Sequence, residues 1–447
     1  MSFGTEGQPR GTPHTSFKAN PGRWAAPTVA RVAWRSLVLI PTIESSERQA
    51  LPSATRLRSL DTYRGLVMLL MVSGGLGLVD VASHFPNSRV WQFLARQADH
   101  ARWQGCTLWD LIMPAFLFIV GVALPFSIAS RRRRGQRAER RFAHAVWRSV
   151  VLVLLGILLA SNGAPRTEFH FINVLAQIGL GYWLVFLFAE RSPRVQALAF
   201  IAILVAYGYW FYRHPLPAAT FDDASVGVPK DWHRLEGMAA HWDLNTNPAA
   251  AFDRWFLNIF PRREPFRFRA AGGTTLNFIP SVATMLLGVM AGNCIRSSRD
   301  ERQKVRGLLA AGALLLAAGI ALDPAILPGI DSTRWTICPI VKRIWTPSYV
   351  LYSGGWAVLA AAALYWIIDV RHIHRWTFPL VVVGMNSLVM YLLAALAAGW
   401  TRRTLHTHLG PLPFEWTYGP IVESLSELVL FWLVCLWLYR NRVFVRI

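Results

Sequence analysis

A histidine and an aspartate ten residues apart are the side chains in this sequence best suited to chemistry. His100 lies in a polar stretch, and Asp110 begins the apolar run that follows. An imidazole that titrates near neutral pH can accept a proton from an amine or hydroxyl, or can take an acyl group itself. A carboxylate can fix its tautomer. The competing interpretation is an interfacial histidine hydrogen-bonded within a loop, which is the commoner role of a lone histidine.

Two further pairs of polar side chains lie within or beside apolar runs. Asp61 and Arg64 are one helical step apart, so they can form an ion pair at a helix end, or Arg64 can bind phosphate. Asn173 and Gln177 are four residues apart and share one helix face. They can bind a substrate or hydrogen-bond a neighbouring helix equally well.

The apolar runs around these residues predict a helical membrane protein. Hydrophobic residues make up 53% of the 447 residues and charged residues 16%, below the roughly 25% of a soluble domain. A bilayer core about 30 Å thick requires roughly 20 apolar residues per helix and internally satisfied backbone, so we expect an all-α transmembrane bundle. About ten spans are predicted, at 63–82, 108–129, 146–162, 170–189, 196–212, 276–295, 306–322, 347–369, 378–397 and 420–439.

The basic residues between these runs predict the topology. Arginine and lysine mark the cytoplasmic side in short loops, and here they follow every even-numbered span. We therefore expect both termini in the cytoplasm and the loops at 83–107, 163–169, 213–275, 323–346 and 398–419 outside a cell inner membrane. The cluster Arg131–Arg134 either marks topology and binds lipid headgroups, or holds the phosphates of a cytoplasmic nucleotide.

The remaining sequence predicts two flanking features of the membrane domain at 56–447. Residues 1–55 are rich in Arg, Pro, Ser, Thr and Gly, which predicts a disordered basic extension. The loop at 213–275 is long enough for an outer subdomain. Its aromatic residues can stack on sugar rings, pack as a cap on the bundle, or form an interfacial aromatic belt. These residues are Trp232, His241, Trp242, Trp255, Phe256, Phe260 and Phe266.

Charge and cysteine content limit the ligands. The net charge is +21, but the basic residues are dispersed in short clusters, which argues against a nucleic-acid partner. The four cysteines lack metal-ligand spacing, so no metal is expected. A disulfide between Cys106 and Cys338, which would share the outer face, stays open.

The order and spacing of residues around Asp61 and His100 form two specific motifs. They read Arg58-Ser59-Leu60-Asp61-Thr62-Tyr63-Arg64-Gly65 and His100-x-x-Trp103-x-Gly105-x-x-x-x-Asp110-Leu111-x-x-Pro114-x-Phe116-x-Phe118-x-x-Gly121. Later blocks are Trp147-Arg148-Ser149, Asn173–Gly179, Thr275–Ser281, Trp345–Tyr349 and Gly384–Ser387. Over about residues 56–440 the chain resembles the transmembrane heparan-alpha-glucosaminide N-acetyltransferases and their bacterial relatives.

This resemblance implies transfer of an acetyl group from cytoplasmic acetyl-CoA to an amino sugar or related glycan acceptor across the membrane. His100 matches the family's catalytic histidine, with Asp110 as its partner. The predicted donor-binding residues are Arg64, Arg148, Asp61, Asn173 and Gln177. The chain departs from the family at Ser73–Gly77, where characterised members carry an asparagine near the histidine. The expected partners are the lipid bilayer, acyl-CoA and the acceptor, and a homodimer stays open.

Two other classes of function remain as alternatives. A transporter or flippase for a glycan or lipid-linked precursor would use the polar membrane residues as a pathway and consume no acyl-CoA. A membrane scaffold or sugar-binding module would depend on the outer loop and would be insensitive to His100→Ala. The family resemblance favours the acyltransferase.

Overall fold

The computed structural model describes residues 57–218, 220–330 and 335–445, and the extension predicted at 1–55 lies outside them. Within these ranges the chain contains no β-strand, so the predicted all-α fold is confirmed. The α-helices are α1 Arg58–Val72, α2 Leu78–Ser83, α3 Arg89–Ala98, α4 Ile112–Arg133, α5 Ala138–Ala160, α6 Val174–Ala189, α7 Pro193–Tyr212, α8 Pro248–Phe256, α9 Phe278–Arg296, α10 Glu301–Leu322, α11 Pro347–Tyr365, α12 Phe378–Met385, α13 Ser387–Leu409 and α14 Gly419–Arg440.

The number of spans differs slightly from the prediction. Among the described helices, seven are long and apolar enough to cross a membrane, namely α4, α5, α7, α9, α10, α11 and α14. Two bent pairs raise the number to nine: α1 with α2, at 49°, and α12 with α13, at 65°. The remaining predicted segment, 170–189, yields only the 16-residue α6, because Asn173 is extended and caps the helix there. The predicted ten are therefore seven to nine spans and one shorter apolar helix.

Glycines allow the central helices to approach closely. A Cβ at Gly121 of α4 would lie 2.0 Å from the Met285 carbonyl oxygen of α9, and one at Gly288 would lie 2.1 Å from that of Phe118. Gly65 of α1 and Gly384 of α12 make a similar contact. Such small-residue contacts are a common means of helix association in membranes. The helix that begins at the predicted Asp110 site is thereby fixed against its neighbour.

The glycine-rich end of the first span is a break in the helix. Gly74, Gly75, Leu76 and Gly77 all have positive φ, which glycine adopts at little cost. A Cβ at Gly75 would lie 2.9 Å from the carbonyl oxygen of Ala98, the last residue of α3. The break therefore packs against the segment that leads directly to His100.

The loop at 213–275 folds onto the bundle. Trp242 is buried and stacks on Phe211 of α7 with ring centroids 4.2 Å apart, and its carbonyl accepts a 3.2 Å hydrogen bond from Trp103 Nε1. Phe256 and Phe260 pack against Phe171. Most of the predicted aromatic surface thus forms a cap core, while Trp255 is exposed.

Candidate active site

The turn before α4 is built around the carboxylate of Asp110. One oxygen, Oδ2, accepts hydrogen bonds from Ala101 N at 3.0 Å, Thr107 N at 3.1 Å and Thr107 Oγ1 at 3.1 Å. The side chain is 1% exposed. Buried carboxylates are stable when their lone pairs are satisfied in this way. The turn therefore holds the carboxylate in one orientation and leaves Oδ1 for other partners.

The imidazole of His100 contacts that second oxygen. His100 Nδ1 lies 2.7 Å from Asp110 Oδ1, and its own backbone N donates to Asp99 Oδ1 at 2.7 Å. A hydrogen bond from Nδ1–H to a carboxylate fixes the tautomer in which Nε2 carries the lone pair. The histidine side chain is 29% exposed, so ligands can reach it. The pair predicted from the sequence is therefore brought together with the geometry of an oriented base.

A third group at the site, Lys342, was missed in the sequence analysis. Its Nζ lies 3.4 Å from Asp110 Oδ1 and 2.9 Å and 3.3 Å from His100 Nδ1 and Nε2. Burial lowers the pKa of Lys342, and the nearby Asp110 carboxylate opposes this shift. Lysine is rare here, with four among the 46 basic residues, and Lys342 is the one lysine of the loop at 323–346, which was a usable signal.

Backbone contacts fix the loop that carries this lysine. Gly105 N donates to the carbonyl of Ile340 at 2.8 Å, joining the loop to the His100 segment. The hydroxyl of Tyr349, at the start of α11, donates to the carbonyl of Asp110 at 2.6 Å. Two segments more than 200 residues apart in sequence therefore form one site.

Cys106 and Cys338 are free thiols in the structure. Burial raises the pKa of both, to about 12 for Cys338, whose Sγ accepts a 3.4 Å hydrogen bond from Ser348 Oγ. The disulfide that the sequence left open between Cys106 and Cys338 is not formed. Among the described residues, no group of three His, Cys, Asp or Glu side chains could hold a metal ion.

Asn173 and Gln177 lie near the start of α6 and bond mainly to backbone. Asn173 caps the helix through Ala176 N at 3.0 Å and donates to the carbonyl of Gly156 at 2.9 Å. Gln177 Nε2 donates to the carbonyls of Phe171 at 2.6 Å and Thr275 at 3.2 Å, whereas its buried Oε1 has no partner. Thr275 begins the 3₁₀ turn Thr275–Asn277 that leads into α9, so both residues lie at the helix starts, as Asp110 does.

The other predicted donor-binding residues lie nearer the opposite helix ends. Asp61 and Arg64 form an i, i+3 ion pair at 3.5 Å in α1, whose first amides donate to Asp369 beyond α11. The guanidinium of Arg148 lies 4.8 Å above the ring of Tyr182. The predicted set of five is therefore divided between the two ends of the bundle.

A basic cavity of about 540 Å³ opens where α4, α6 and α9 end and α7 begins. Four arginines contribute to its lining, together with apolar residues and Asn293; they are Arg132, Arg133, Arg191 and Arg296. Glu190 also lines the cavity, and its carboxylate pairs with Arg141 at 2.9 Å and with Arg132 at 3.9 Å. The arginine clusters after the second, fourth and sixth predicted spans thus meet at one end.

Sequence comparisons support the predicted resemblance. Residues 56–228, which include His100 and Asp110, match the family model described as heparan-alpha-glucosaminide N-acetyltransferase, catalytic. The heparan-alpha-glucosaminide N-acetyltransferases of Mus musculus and Homo sapiens are each 24% identical to the chain over 88% of its length. The chain spans 61% and 60% of these relatives. These matches confirm that this membrane protein is similar to the heparan-alpha-glucosaminide N-acetyltransferase family along most of its length.

Proposed function

We propose that the protein is a membrane acetyltransferase that moves an acetyl group from acetyl-CoA to an amino sugar or related glycan acceptor. The observation that carries the proposal is the 2.7 Å contact between His100 Nδ1 and Asp110 Oδ1, within the residues that match the catalytic family model. The carboxylate is buried and the imidazole is accessible, which suits an oriented general base or nucleophile.

His100 supplies the proton transfer in this proposal. In direct transfer, the acceptor nitrogen forms a bond to the thioester carbon, the C–S bond breaks, and the proton of the amine passes through His100 Nε2 to the departing thiolate. In a two-step transfer, Nε2 itself takes the acetyl group before the amine does. Single-turnover labelling distinguishes the two, because only the second leaves acetyl label on His100 in the absence of acceptor.

The donor enters, in this proposal, from the arginine end. Guanidinium groups bind phosphate oxygens well, and Arg132, Arg133, Arg191 and Arg296 line one cavity there. Arg148 and Arg64 are candidates for contacts further along the donor. We assign this end to the cytoplasm and the His100 end to the periplasm of an inner membrane, in keeping with the charge bias of the loops. Only the acetyl group then crosses to the acceptor.

Reconstitution tests the proposal directly. Purified protein in proteoliposomes is incubated with radiolabelled acetyl-CoA and a panel of amino sugars and glycan fragments. We expect acetyl transfer by the wild type and a loss of about 100-fold or more in His100→Ala. His241→Ala is the matched control, because that histidine contacts the His214 carbonyl and lies outside the site. If the wild type consumes no thioester with any acceptor, the acetyltransferase proposal fails.

A second candidate function, transport of a glycan or lipid-linked precursor, is favoured by the two broken spans. Interrupted helices are common at transporter binding sites, and α1–α2 and α12–α13 are bent by 49° and 65°. Transport predicts that labelled glycan moves across the proteoliposome membrane without acetyl-CoA. Movement that requires His100 and acetyl-CoA would instead support the transferase.

A further inference from the structure

Asp110, His100 and Lys342 form a cluster with one anionic and two basic groups. Asp110 Oδ2 is occupied by the three donors from Ala101 and Thr107, so Oδ1 alone serves His100 and Lys342, at 2.7 Å and 3.4 Å. The carboxylate is 1% exposed and the lysine side chain 15% exposed. Because little water reaches these side chains to screen their charges, the charge state of each group must depend on the other two.

The position of the ammonium leaves the reactive nitrogen accessible. Lys342 Nζ is nearly equidistant from the two ring nitrogens of His100, at 2.9 Å and 3.3 Å. Such a point lies over the ring, because an equidistant point in the ring plane would overlap the carbon between the nitrogens. Nδ1 remains directed at Asp110, and 29% of the His100 side chain stays exposed. A reacting proton or acyl group can therefore still approach Nε2.

The charges around Asp110 favour a single cation, on either Lys342 or His100, beside its carboxylate. A carboxylate beside a histidine stabilises the imidazolium, which neither accepts a proton nor attacks a thioester. A lysine ammonium about 3 Å from the ring opposes a second positive charge there, since like charges at short range disfavour each other's charged form. Arg343, the next residue, adds a positive charge, and the Cys106 thiol is also near the lysine. The Asp99 carboxylate, which accepts a bond from the backbone N of His100, adds a negative charge beside the backbone of the histidine.

We propose that Lys342 is a positioning residue that supplies the positive charge for Asp110 and thereby keeps His100 uncharged and reactive at neutral pH. This inference rests on the proposed function of His100. In this arrangement the lysine contributes no atom to the product. It orients the carboxylate and sets the charge of the base, so that Asp110 can fix the tautomer without converting His100 to a cation.

The test measures the protonation of His100 without requiring enzyme activity. Diethyl pyrocarbonate modifies uncharged imidazole, and mass spectrometry of the His100 peptide gives its modification rate at each pH. Wild type, Lys342→Met, Lys342→Arg and Arg343→Met are compared in detergent between pH 5.5 and 9. We expect the midpoint to rise by about 1 to 2 pH units in Lys342→Met and by less than about half a unit in Lys342→Arg.

Arg343→Met is the matched control, because it removes an equal charge from the adjacent residue and keeps the backbone carbonyl that accepts a bond from Asn277. Its midpoint should stay within about half a unit of the wild type. Coinciding midpoints for wild type and Lys342→Met would overturn the inference, as would an equal shift in Arg343→Met. Each midpoint is measured within one variant, so a lower yield of folded protein does not alter it; Lys342→Gln provides a second neutral variant.

Acetyl transfer is then measured over the same pH range. The acid limb of the rate profile of Lys342→Met should move upward with the modification midpoint, and activity should recover at alkaline pH. A purely structural role of Lys342 would lower the rate equally at every pH and would overturn the inference. If the wild type shows no acetyl transfer, the proposed function fails, while the modification midpoints still decide the role of Lys342.

Discussion

The two ends of the bundle bind charge in different ways. At the His100 end, one carboxylate is 1% exposed and has partners at every oxygen, all within 3.4 Å. At the arginine end, four guanidiniums line a cavity of about 540 Å³, and Arg132 is 67% exposed. A reacting group requires fixed geometry and little water, whereas a charged ligand that enters and leaves requires accessible charges. The contrast therefore matches a reaction site at one end and a docking site at the other.

The His100 end is also braced by bonds between helix starts. Tyr349 of α11 donates to the Asp110 carbonyl, Gln177 of α6 donates to the Thr275 carbonyl, and Asn277 donates to the Arg343 carbonyl. These contacts connect segments that are far apart in sequence. Because a buried polar network has few alternative partners, a substitution there should cost more than one among exposed arginines.

Among substitutions at the two ends, Asp110→Asn should cause the largest loss of activity and stability. The amide keeps the shape of the side chain but removes the charge that faces Lys342 and turns a donor toward one of the donors from Ala101 or Thr107. We expect acetyl transfer to fall by about 100-fold or more. Unfolding should become easier by about 3 kcal/mol, since a buried charge loses its partner. Initial rates and thermal unfolding in detergent measure the two effects.

Asp231→Asn is the matched control at the same end of the molecule. Its carboxylate pairs with Arg102 at 3.0 Å, but the two side chains are 71% and 65% exposed. Water screens such a pair, so its loss should leave the thermal unfolding midpoint of the protein nearly unchanged. An Asp110→Asn protein that retains more than about a tenth of the wild-type rate would contradict the assignment of this end as the reaction site.

Asp253 offers a second buried carboxylate at the His100 end. Both oxygens lie within 3.2 Å of Thr275 N, just before α9, and burial raises the pKa of Asp253 to about 6. A carboxyl whose pKa is higher in the folded state than in the unfolded state stabilises the fold when it is protonated. The free energy of unfolding therefore falls as the pH rises from about 4 to 6 and is constant above that. Between pH 5 and 7 the loss should be about 1 kcal/mol. Hydrogen exchange at the start of α9 measures it.

The same measurement on two variants isolates this carboxylate. Asp253→Asn should remove most of the pH dependence, because the amide does not titrate. Asp223→Asn should keep the pH dependence, since Asp223 lies in the same loop at 213–275 but pairs with Arg234. A wild-type protein with equal protection at pH 5 and 7, or an unchanged slope in Asp253→Asn, would show that Asp253 does not control the stability of this region.

The sequence was most informative where one physical cause dominates. Apolar length predicted the membrane helices, and the ten-residue spacing of His100 and Asp110 predicted a pair that the structure brings to 2.7 Å. A local interaction also explains why the predicted span at 170–189 is shorter than expected, because Asn173 caps the helix and sets its start. Such features depend on residues near one another in the chain.

Tertiary contacts could not be predicted in this way. Lys342 reaches His100 only because the Ile340 carbonyl pairs with Gly105, and one sequence provides no signal for that register. Equally, helical spacing placed Asn173 and Gln177 on one face but did not indicate that their bonds go mainly to backbone carbonyls and amides. The positions of the arginine clusters followed from topology, whereas the cavity between them did not.

Substitution at the arginine end should have the smallest effect and the clearest kinetic signature. Arg296→Gln removes one charge from the cavity, and the lost phosphate contact should raise KM for acetyl-CoA about tenfold while kcat stays nearly unchanged. High salt should reduce the difference in KM between Arg296→Gln and the wild type, because salt screens exposed charges. Arg299→Gln, just beyond the same helix and outside the cavity lining, should leave KM unchanged. Should Arg296→Gln instead lower kcat as strongly as Asp110→Asn, the two ends would share one role, and the separation of docking from reaction would be wrong.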